Sequence, residues 1–328
     1  IVELGRQSLA DPDLPKKARA GQSEKINKCL RCNTCLEHTG SIRSLRCAIN
    51  PEIGFERDAK IFRAASPKKR VLVAGGGIAG MQAAITAAQR GHDVMLCEKS
   101  DQLGGILKCE RGVPFKKRLD EYLSRQATVL NELGVDIRLN TSATPEFAAK
   151  IAPEVIFAAV GAEPVKPNIP GIDGANVFEA TKIYDNIDAA GRHVVIIGGG
   201  LSGIELTIYL RGLGHKVTMI EAMEKLVCDD AGMHLLAHSK ALEQPGITLL
   251  RATTVRGITS DGVKISGADG DSFIAADTVV YAAGQKPRHA EAFALGDCAP
   301  EFYMLGDCVT PKRIFAATQT AWTLARDI

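Results

Sequence analysis

Residues 70–80 read RVLVAGGGIAG, and residues 193–203 read HVVIIGGGLSG. Each stretch starts as an apolar, β-branched run, which is typical of a buried strand, and ends in a glycine turn that precedes an apolar helix. An acidic residue, Glu98 or Glu221, stands eighteen positions after the last glycine of its turn. Strand, turn, helix and second strand make two βαβ units with GxGxxG spacing, so the sequence predicts two dinucleotide-binding domains in one chain.

The chemistry of a bound dinucleotide explains each part of this pattern. The first glycine makes the tight strand-to-helix turn, the second lets the backbone approach the pyrophosphate, and the third lets the helix pack on the strand. The helix N-terminus offers free N–H groups to the diphosphate, and the acid accepts hydrogen bonds from the ribose 2′-hydroxyl. A single match is also compatible with a turn that binds nothing, whereas two matches with equal spacing favour nucleotide binding.

The two units divide the chain into domains. We predict an α/β fold of two nested Rossmann-like domains, preceded by a small cysteine-rich segment. The apolar segments 155–161 and 276–284 resemble one another, and both are assigned to the first domain. The predicted layout is a short N-terminal piece (1–17), the cysteine-rich segment (18–66), the first domain (67–165 plus 275–328) and the second domain (166–274).

Glu221 also bears on the choice between NADH and NADPH. A carboxylate at this place repels the 2′-phosphate of NADPH, which an arginine usually holds. The residues after Glu221 are Ala-Met-Glu-Lys and include no arginine. We therefore expect NADH at the second turn, and the alternative is that Lys225 or Arg251 folds back to hold a phosphate.

Four of the nine cysteines lie within nineteen residues, at Cys29, Cys32, Cys35 and Cys47. Such a cluster in an enzyme-sized chain predicts a metal site in a reducing compartment, and we expect a cytoplasmic location. Zinc suits four thiolates but usually takes two separated CxxC pairs. Three cysteines at C-x2-C-x2-C on one loop are typical of iron–sulfur proteins, so a [4Fe-4S] cluster is the favoured prediction and zinc the alternative.

The other five cysteines show no pairing at CxxC or CxxxxC spacing, and we interpret them as small apolar residues. They are Cys97, Cys109, Cys228, Cys298 and Cys308. A disulfide reductase needs a redox-active cysteine pair, and the sequence shows no such pair outside the cluster.

Composition argues against several other classes of function. The 328 residues are 45% apolar and 24% charged, with a formal net charge of +2, so neither a nucleic acid nor a lipid surface is an expected partner. No apolar run approaches the roughly 20 residues that span a bilayer. The chain opens with IVELGRQS, without an initiator methionine or a signal peptide, and we expect a fragment of a longer protein.

These motifs together resemble a known family. The chain is similar over essentially its whole length to the C-terminal part of bacterial 2,4-dienoyl-CoA reductase and of its relatives, the trimethylamine and histamine dehydrogenases. The resemblance rests on both glycine turns and on GRQSLADPDLPKKARAG (5–21), CLRCNTC (29–35), AINPEIGFE (48–56) and LGDC (305–308). It implies the NADH:flavin oxidoreductase group without the N-terminal Old Yellow Enzyme-type barrel. Residues 1–17 are then the remnant of the barrel end, with Gly5-Arg6 at the FMN phosphate.

The resemblance also implies a pyridine nucleotide-disulfide reductase-like fold and a set of site residues. The implied cluster ligands are Cys29, Cys32, Cys35 and Cys47. The residues implied for FAD are Gly75, Gly77, Ile78, Ala79, Gly80, Glu98, Lys99, Gly104, Gly105, Gly306 and Asp307. Those implied for NADH are Gly198, Gly200, Leu201, Ser202, Gly203, Glu205 and Glu221. Glu205 is also the candidate catalytic residue, and the alternative is an ordinary helix glutamate.

Two positions need a separate interpretation. Asp307 has a near-duplicate in Gly296-Asp297-Cys298, which we interpret as a loop because only Asp307 follows a strand pattern, FYML, and precedes a helix. Ile106 stands where many relatives have glutamine, which removes one flavin contact without excluding FAD.

The function implied by the resemblance is electron transfer from NADH through FAD to the cluster, and in the full protein to FMN for reduction of an activated C=C bond, of the 2,4-dienoyl-CoA or enoate type. The expected partners are NADH, an FMN-bearing barrel domain or subunit, an electron-transfer protein and further copies of the chain in a homo-oligomer.

Two alternative functions stay open. One is an amine dehydrogenase-like chain with ADP in the first site, which the spacing before Cys35 favours. The other is an electron-transfer subunit without substrate chemistry.

Overall fold

The computed structural model of the chain describes residues 3–40, 43–61, 67–227 and 232–328. These residues divide into two compact units. Unit 1 comprises the described residues up to Glu163 together with Lys286–Ile328, and unit 2 comprises Pro164–Gln285. The second unit is therefore an insertion in the first.

Helices and strands alternate through both units. The helices are α1 (Arg6–Ala10), α2 (Leu14–Arg19), α3 (Thr34–Gly40), α4 (Glu56–Ile61), α5 (Ile78–Gln89), α6 (Lys117–Glu132), α7 (Pro145–Ile151), α8 (Ala180–Asp185), α9 (Leu201–Gly212), α10 (Met233–Leu242), α11 (His289–Phe293) and α12 (Ile314–Arg326). Short 3₁₀ helices cover Ser23–Lys25, Gly105–Glu110, Pro114–Lys116, Ile187–Ala189 and Gly306–Cys308.

The strands are β1 (Arg70–Ala74), β2 (Asp93–Cys97), β3 (Asp136–Arg138), β4 (Val155–Ala158), β5 (Ala162–Pro164), β6 (Val177–Glu179), β7 (His193–Ile197), β8 (Lys216–Ile220), β9 (Ile247–Leu250), β10 (Thr254–Thr259), β11 (Gly262–Gly267), β12 (Gly270–Ala275), β13 (Thr278–Tyr281), β14 (Gln285–Pro287) and β15 (Glu301–Met304). The short strands β5 and β14 pair with each other.

Unit 1 is built on a parallel sheet. Its described strands follow the order β15-β4-β1-β2-β3, with Leu72 opposite Met95 on one side and Ile156 on the other. Residues 71–74 and 155–158 are almost completely buried, because a parallel sheet carries helices on its faces and needs continuous apolar strands. Helix α5 leaves the carboxyl end of β1, and α12 packs against α5.

Unit 2 repeats this arrangement. Its described parallel strands follow the order β6-β13-β7-β8-β9, and an antiparallel sheet, β10-β11-β12, is inserted in the chain between β9 and β13. Helix α9 leaves β7 as α5 leaves β1, and the central strands of both sheets are buried. Two parallel sheets with strand–turn–helix units confirm the predicted α/β class.

The assignment of residues 276–284 to the first domain needs correction. Strand β13 lies in unit 2, where Val279 pairs with Val195 of β7 and with Val177 of β6. Its sequence resembles that of β4 because the two strands have equivalent positions. Strand β13 lies beside β7, which leads into the second glycine turn, and β4 lies beside β1, which leads into the first. The insertion therefore ends near residue 285 and not at residue 274.

The N-terminal piece is helical where the structure describes it. Of residues 1–17, the predicted remnant of a barrel end, the described residues 3–17 contain α1 and the start of α2. That this piece is the end of a barrel stays a prediction. Residues 1–2 lie outside the described part of the chain.

The cysteine-rich segment folds into unit 1. Ala48 and Ile49 are 3% and 4% exposed and belong to the same apolar core as β1 and α5. Of the helices that the structure describes, none is both long enough and apolar enough to cross a membrane.

Candidate functional site

The first glycine turn requires glycine at its two ends. Gly75 has a φ of +112°, and a Cβ placed there would lie 2.3 Å from the carbonyl oxygen of Ala159. A Cβ on Gly80 would lie 1.8 Å from the carbonyl oxygen of Gly75. Because any side chain at these positions meets backbone, the turn keeps β1 and α5 in close contact, as the dinucleotide pattern predicts.

The third glycine of the same turn, Gly77, has open space at its Cβ position. Gly77 precedes Ile78, the first residue of α5, and the nearest atom to an added Cβ is the Cα of Gly105, 3.8 Å away. The N–H of Gly104 donates to the carbonyl oxygen of Gly76 at 2.9 Å, so the 104–105 loop lies beside the turn. This space in front of a helix N-terminus fits a diphosphate approached by backbone on both sides.

Glu98 is fixed beside the first turn at the end of β2. The side chain is buried, and its Oε2 accepts the N–H of Gly76 at 2.8 Å. Its Oε1 accepts both the N–H and the hydroxyl of Ser100, each at 2.8 Å. Lys99 is exposed. Sequence analysis missed Ser100, although a serine two residues after a turn carboxylate is a common local partner.

Asp307 lies next to the first turn of α5. A Cβ on Gly306 would come within 2.8 Å of the Cβ of Ala79, which puts the Gly306–Cys308 turn against the start of that helix. Burial raises the pKa of Asp307, and the N–H of Lys312, which donates to Oδ1 at 3.2 Å, opposes that rise. Asp307 follows β15 and precedes α12, as predicted, whereas Asp297 is exposed in a turn.

The second glycine turn has nearly the same geometry. Gly198 has a φ of +118°, and an added Cβ would lie 2.4 Å from the carbonyl oxygen of Ala282. A Cβ on Gly203 would lie 2.0 Å from the carbonyl oxygen of Gly198. A Cβ on Gly200 would meet no atom within 4 Å, which leaves the space before α9 open.

Glu221 is held at this turn as Glu98 is at the first. Its Oε2 accepts the N–H of Gly199 at 2.6 Å, and its Oε1 accepts the N–H of Met223 at 2.8 Å. The next two site residues, Leu201 and Ser202, begin α9, where Leu201 is half-buried and Ser202 is exposed. The carboxylate is thus presented at the turn in a fixed orientation.

Glu205 lies inside unit 2. It is 8% exposed, and its Oε1 lies 3.9 Å from Nε2 of His238 on α10. A carboxylate is almost never buried to this degree unless it is paired, so its environment differs from that of an ordinary solvated helix glutamate. Sequence analysis missed His238, because 33 residues separate it from Glu205 and no local pattern connects them.

The cysteine loop has unusual backbone geometry. Arg31 and Asn33, on either side of Cys32, have φ values of 60° and 57°, which non-glycine residues rarely adopt. The N–H of Arg31 points at the sulfur of Cys29, 3.4 Å away. Turns of this kind direct backbone N–H groups into a concavity, and they occur at phosphate and iron–sulfur sites. Their strain is typical of a functional loop.

The cysteine side chains lie near one another. Burial raises the pKa of Cys47 to about 11, and the neighbouring Cys32 and Cys29 add to the rise. Burial raises the pKa of Cys35 as well, and the same two cysteines add to that effect. A thiolate at Cys35 or Cys47 is therefore unfavourable without a positive charge nearby, which is the charge that an iron cluster or a metal ion supplies.

Among the described residues, no group of three or more His, Cys, Asp or Glu side chains is arranged to hold a metal ion. A single zinc ion would bring its four sulfur atoms to within roughly 4 Å of one another, since the Zn–S bond is about 2.3 Å. A cubane cluster holds its thiolates at separate corners. Cys35 is buried, and Cys29, Cys32 and Cys47 are half-buried. Their loop geometry and mutual approach fit such a group, and the cluster itself stays a prediction.

The remaining cysteines support their interpretation as apolar residues. Cys97 and Cys308 are buried, Cys109 and Cys298 are half-buried, and all four are free thiols. Cys228 lies outside the described residues.

Comparison with known proteins identifies the family. The pyridine nucleotide-disulphide oxidoreductase family model matches residues 69–323. The chain is 35% identical over 309 residues to bilirubin reductase of Mediterraneibacter gnavus, a match that covers 94% of this chain and 48% of that protein. It is also 35% identical over 339 residues to NADH oxidase of Thermoanaerobacter brockii, covering all of this chain and 52% of that protein.

A solved structure agrees with these relatives. The structure of 2-naphthoyl-CoA reductase with 2-naphthoyl-CoA matches with a TM-score of 0.93 and 35% identity, over all of this chain and 50% of that one. The chain thus spans about half the length of the relatives it matches. The similarity confirms the resemblance to flavin-dependent reductases that is carried by the sequence motifs. The chain belongs to the pyridine nucleotide-disulphide oxidoreductase family.

Proposed function

We propose that this chain is the electron-input module of a flavin reductase, which takes electrons from NADH through FAD to a [4Fe-4S] cluster bound by Cys29, Cys32, Cys35 and Cys47. The observation that carries the proposal is the location of the cysteine segment. It belongs to the same compact unit as the first glycine turn, and it packs on α12, the helix that follows Asp307. A redox centre there lies in the unit that would hold the flavin.

The first turn supplies the contacts that FAD requires. The N-terminus of α5 and the Gly104–Gly105 loop would hold the diphosphate, Glu98 the adenosine ribose and Asp307 the ribityl chain. FAD, when bound, accepts a hydride and releases its electrons one at a time. The protein's contribution is to fix these groups before the cofactor arrives, and the hydrogen bonds to Glu98 do so.

The second turn supplies a site for NADH. The start of α9 would hold the diphosphate, and Glu221 would accept hydrogen bonds from the ribose 2′-hydroxyl. Lys225 and Arg251, the alternative partners of a 2′-phosphate, are both exposed. Glu205, with His238 behind it, would face the nicotinamide side of this unit, and it stays the candidate for a residue that orients the nicotinamide.

The complete protein would use these electrons in a second half. We infer that this half binds FMN and reduces an activated C=C bond, because the relatives that are twice as long as this chain include reductases of bilirubin and of 2-naphthoyl-CoA. The substrate itself would be chosen by that half.

The nucleotide bound to the purified chain tests the proposal. Heat release followed by mass spectrometry should identify FAD, and analysis should find about four iron and four sulfide per chain. ADP instead of FAD would favour an amine dehydrogenase-like chain, which the spacing before Cys35 supports. Absence of both nucleotide and iron after reconstitution would contradict the proposal and favour a subunit without redox chemistry.

A further inference from the structure

Two helices of unit 1 that are far apart in sequence contact the cysteine segment. They are α1 and α12, and α12 is the helix that follows Asp307. Each helix places one side chain on the backbone at, or next to, a predicted cluster ligand. These side chains are Gln7 on α1 and Thr318 on α12.

Gln7 uses both ends of its amide. Its Oε1 accepts the N–H of Cys29 at 2.9 Å, and its Nε2 donates to the carbonyl oxygen of Asn27 at 3.0 Å. The two bonds hold the backbone at Asn27 and at Cys29, and they therefore fix the position of the first cysteine of the loop. Leu9 adds a third link, because its carbonyl oxygen accepts Nδ2 of Asn50 at 2.8 Å.

Thr318 contacts the backbone next to Cys47, the last of the four predicted cluster ligands. Its side chain is fully buried, and its hydroxyl lies 2.7 Å from the carbonyl oxygen of Ala48, the residue after Cys47. The carbonyl oxygens of Ile314 and Phe315 are farther away, at 3.2 and 3.1 Å. A hydroxyl has one hydrogen to donate, and the shortest contact is the one to the cysteine segment.

Other contacts align α12 with the segment along its length. Arg313 donates to Glu37 at 3.0 Å, and the Phe315 ring meets His38 edge-to-face with 4.8 Å between centroids. Trp322 packs on Phe55 with centroids 5.5 Å apart. Arg313 is exposed and Phe315 is half-buried, whereas Trp322 and Thr318 are 3% and 0% exposed.

We propose that Gln7 and Thr318 are positioning residues for the iron–sulfur cluster, because Gln7 holds the backbone of Cys29 and Thr318 holds the backbone beside Cys47. The inference rests on the proposed function. Hydrogen bonds that fix the backbone next to a ligand orient its thiolate, and such outer contacts set both the retention and the reduction potential of a metal group. Thr318 would thereby link the helix at the flavin site to the cluster.

Variants that remove each bond without changing side-chain size test this inference in the full chain. Thr318→Val and Gln7→Met delete the hydrogen bonds, whereas Thr318→Ser keeps the hydroxyl and loses only a methyl group. Thr86→Val is the matched control, because Thr86 is a buried helix threonine of unit 1 whose hydroxyl donates to Gln82 within its own helix. The readouts are the rate of iron release to a chelator and the midpoint potential of the cluster, followed by electron paramagnetic resonance.

Thr318→Val and Gln7→Met should release iron roughly fivefold faster than the wild type, as expected for loss of one buried hydrogen bond. Both should shift the potential, whereas Thr86→Val and Thr318→Ser should match the wild type. Equal behaviour of Thr318→Val, Gln7→Met and Thr86→Val, with a normal cluster in the wild type, would overturn the inference and leave the proposed function standing. A wild-type chain that binds no cluster would overturn both.

Discussion

The two glycine turns are nearly superimposable in their local contacts, yet they have different surroundings. In each turn the first and last glycines face a backbone carbonyl at 1.8–2.4 Å from an added Cβ. In each, a carboxylate from the next strand accepts the N–H of the middle glycine. These contacts follow from the GxGxxG pattern itself, and they are the same because both turns must let backbone approach a diphosphate.

The first turn is more enclosed than the second. The Gly104–Gly105 loop lies against it, the Gly306–Cys308 turn packs on Ala79, and residues 78–87 of α5 are all buried. At the second turn, Ser202 is exposed and an added Cβ on Gly200 would meet no atom within 4 Å. A cofactor that stays bound needs enclosure and a substrate that comes and goes needs access, so this difference supports the proposal that FAD binds at the first turn and NADH at the second.

Closing one turn at a time tests whether the two turns bind different nucleotides, and it should have the largest effect. Gly80→Ala and Gly203→Ala each force a Cβ into a carbonyl oxygen, at a cost of about 3 kcal/mol. We expect Gly80→Ala to abolish flavin binding. Gly203→Ala should retain flavin but lose reduction by NADH. Visible spectra of the purified variants, before and after NADH addition, measure both effects, and loss of flavin from both variants equally would remove the distinction between the sites.

Two further variants, Gly77→Ala and Gly200→Ala, distinguish an effect on nucleotide binding from an effect on folding. Gly77 and Gly200 have φ values of −74° and −72°, and the space at their Cβ positions is open, so alanine costs little in the free chain. The methyl group would occupy the approach to the diphosphate. Gly77→Ala should weaken FAD binding and Gly200→Ala should raise the KM for NADH, each roughly tenfold, or about 1.4 kcal/mol.

Thermal unfolding of the nucleotide-free forms is the control for this pair. Both variants should keep the Tm of the wild type, because neither position has a left-handed backbone. A lowered Tm together with unchanged affinity would mean that the open space is not a diphosphate site.

Glu221 tests the choice of nicotinamide cofactor. Glu221→Gln removes the charge that repels a 2′-phosphate, and we expect the ratio of kcat/KM for NADPH to that for NADH to rise roughly tenfold. The matched change at the first turn, Glu98→Gln, should leave this ratio unaltered and should weaken FAD binding instead. Steady-state kinetics with both cofactors and a dye acceptor provide the measurement. An unchanged ratio in Glu221→Gln would contradict NADH selection by this carboxylate.

The smallest expected effect concerns Asp307. Burial raises the pKa of its carboxyl in the folded chain. A carboxyl that binds its proton more tightly when folded adds stability below its unfolded pKa of about 3.9, and that stability is lost as pH rises through the raised value. Asp307→Asn should therefore raise the Tm of the flavin-free chain at neutral pH by about 2 °C and lower its FAD affinity. A lowered Tm would show that the carboxylate stabilises the empty fold.

Much of this fold follows from the sequence because its signals are local. The β1–α5–β2 and β7–α9–β8 units are present around the two glycine turns as predicted, since apolar period and glycine turns act over a few neighbouring residues. Strand β13 was harder to assign, because a buried strand fits either parallel sheet equally well. Its pairing with β7 depends on the position of a strand some 80 residues earlier.

Some residues of the candidate site could be predicted from the sequence and others could not. The glycines, Glu98, Glu221 and Asp307 carry motif spacing and were identifiable. Gln7, Thr318 and His238 were not, because their contacts join residues that are 22, 270 and 33 positions apart. A glutamine or a threonine in a helix has no sequence feature that tells a structural hydrogen bond from a solvated side chain, so only the fold reveals them.

Anaerobic titration of the purified, reconstituted chain with NADH, followed in the visible spectrum, tests electron transfer from NADH through FAD to the cluster. If the first turn holds FAD, the second binds NADH and the cysteines bind a cluster, NADH should bleach the flavin band and then the iron–sulfur absorbance. Gly203→Ala should show neither change. A flavin that stays oxidised in the wild type while dithionite reduces it would contradict electron input from NADH through this chain.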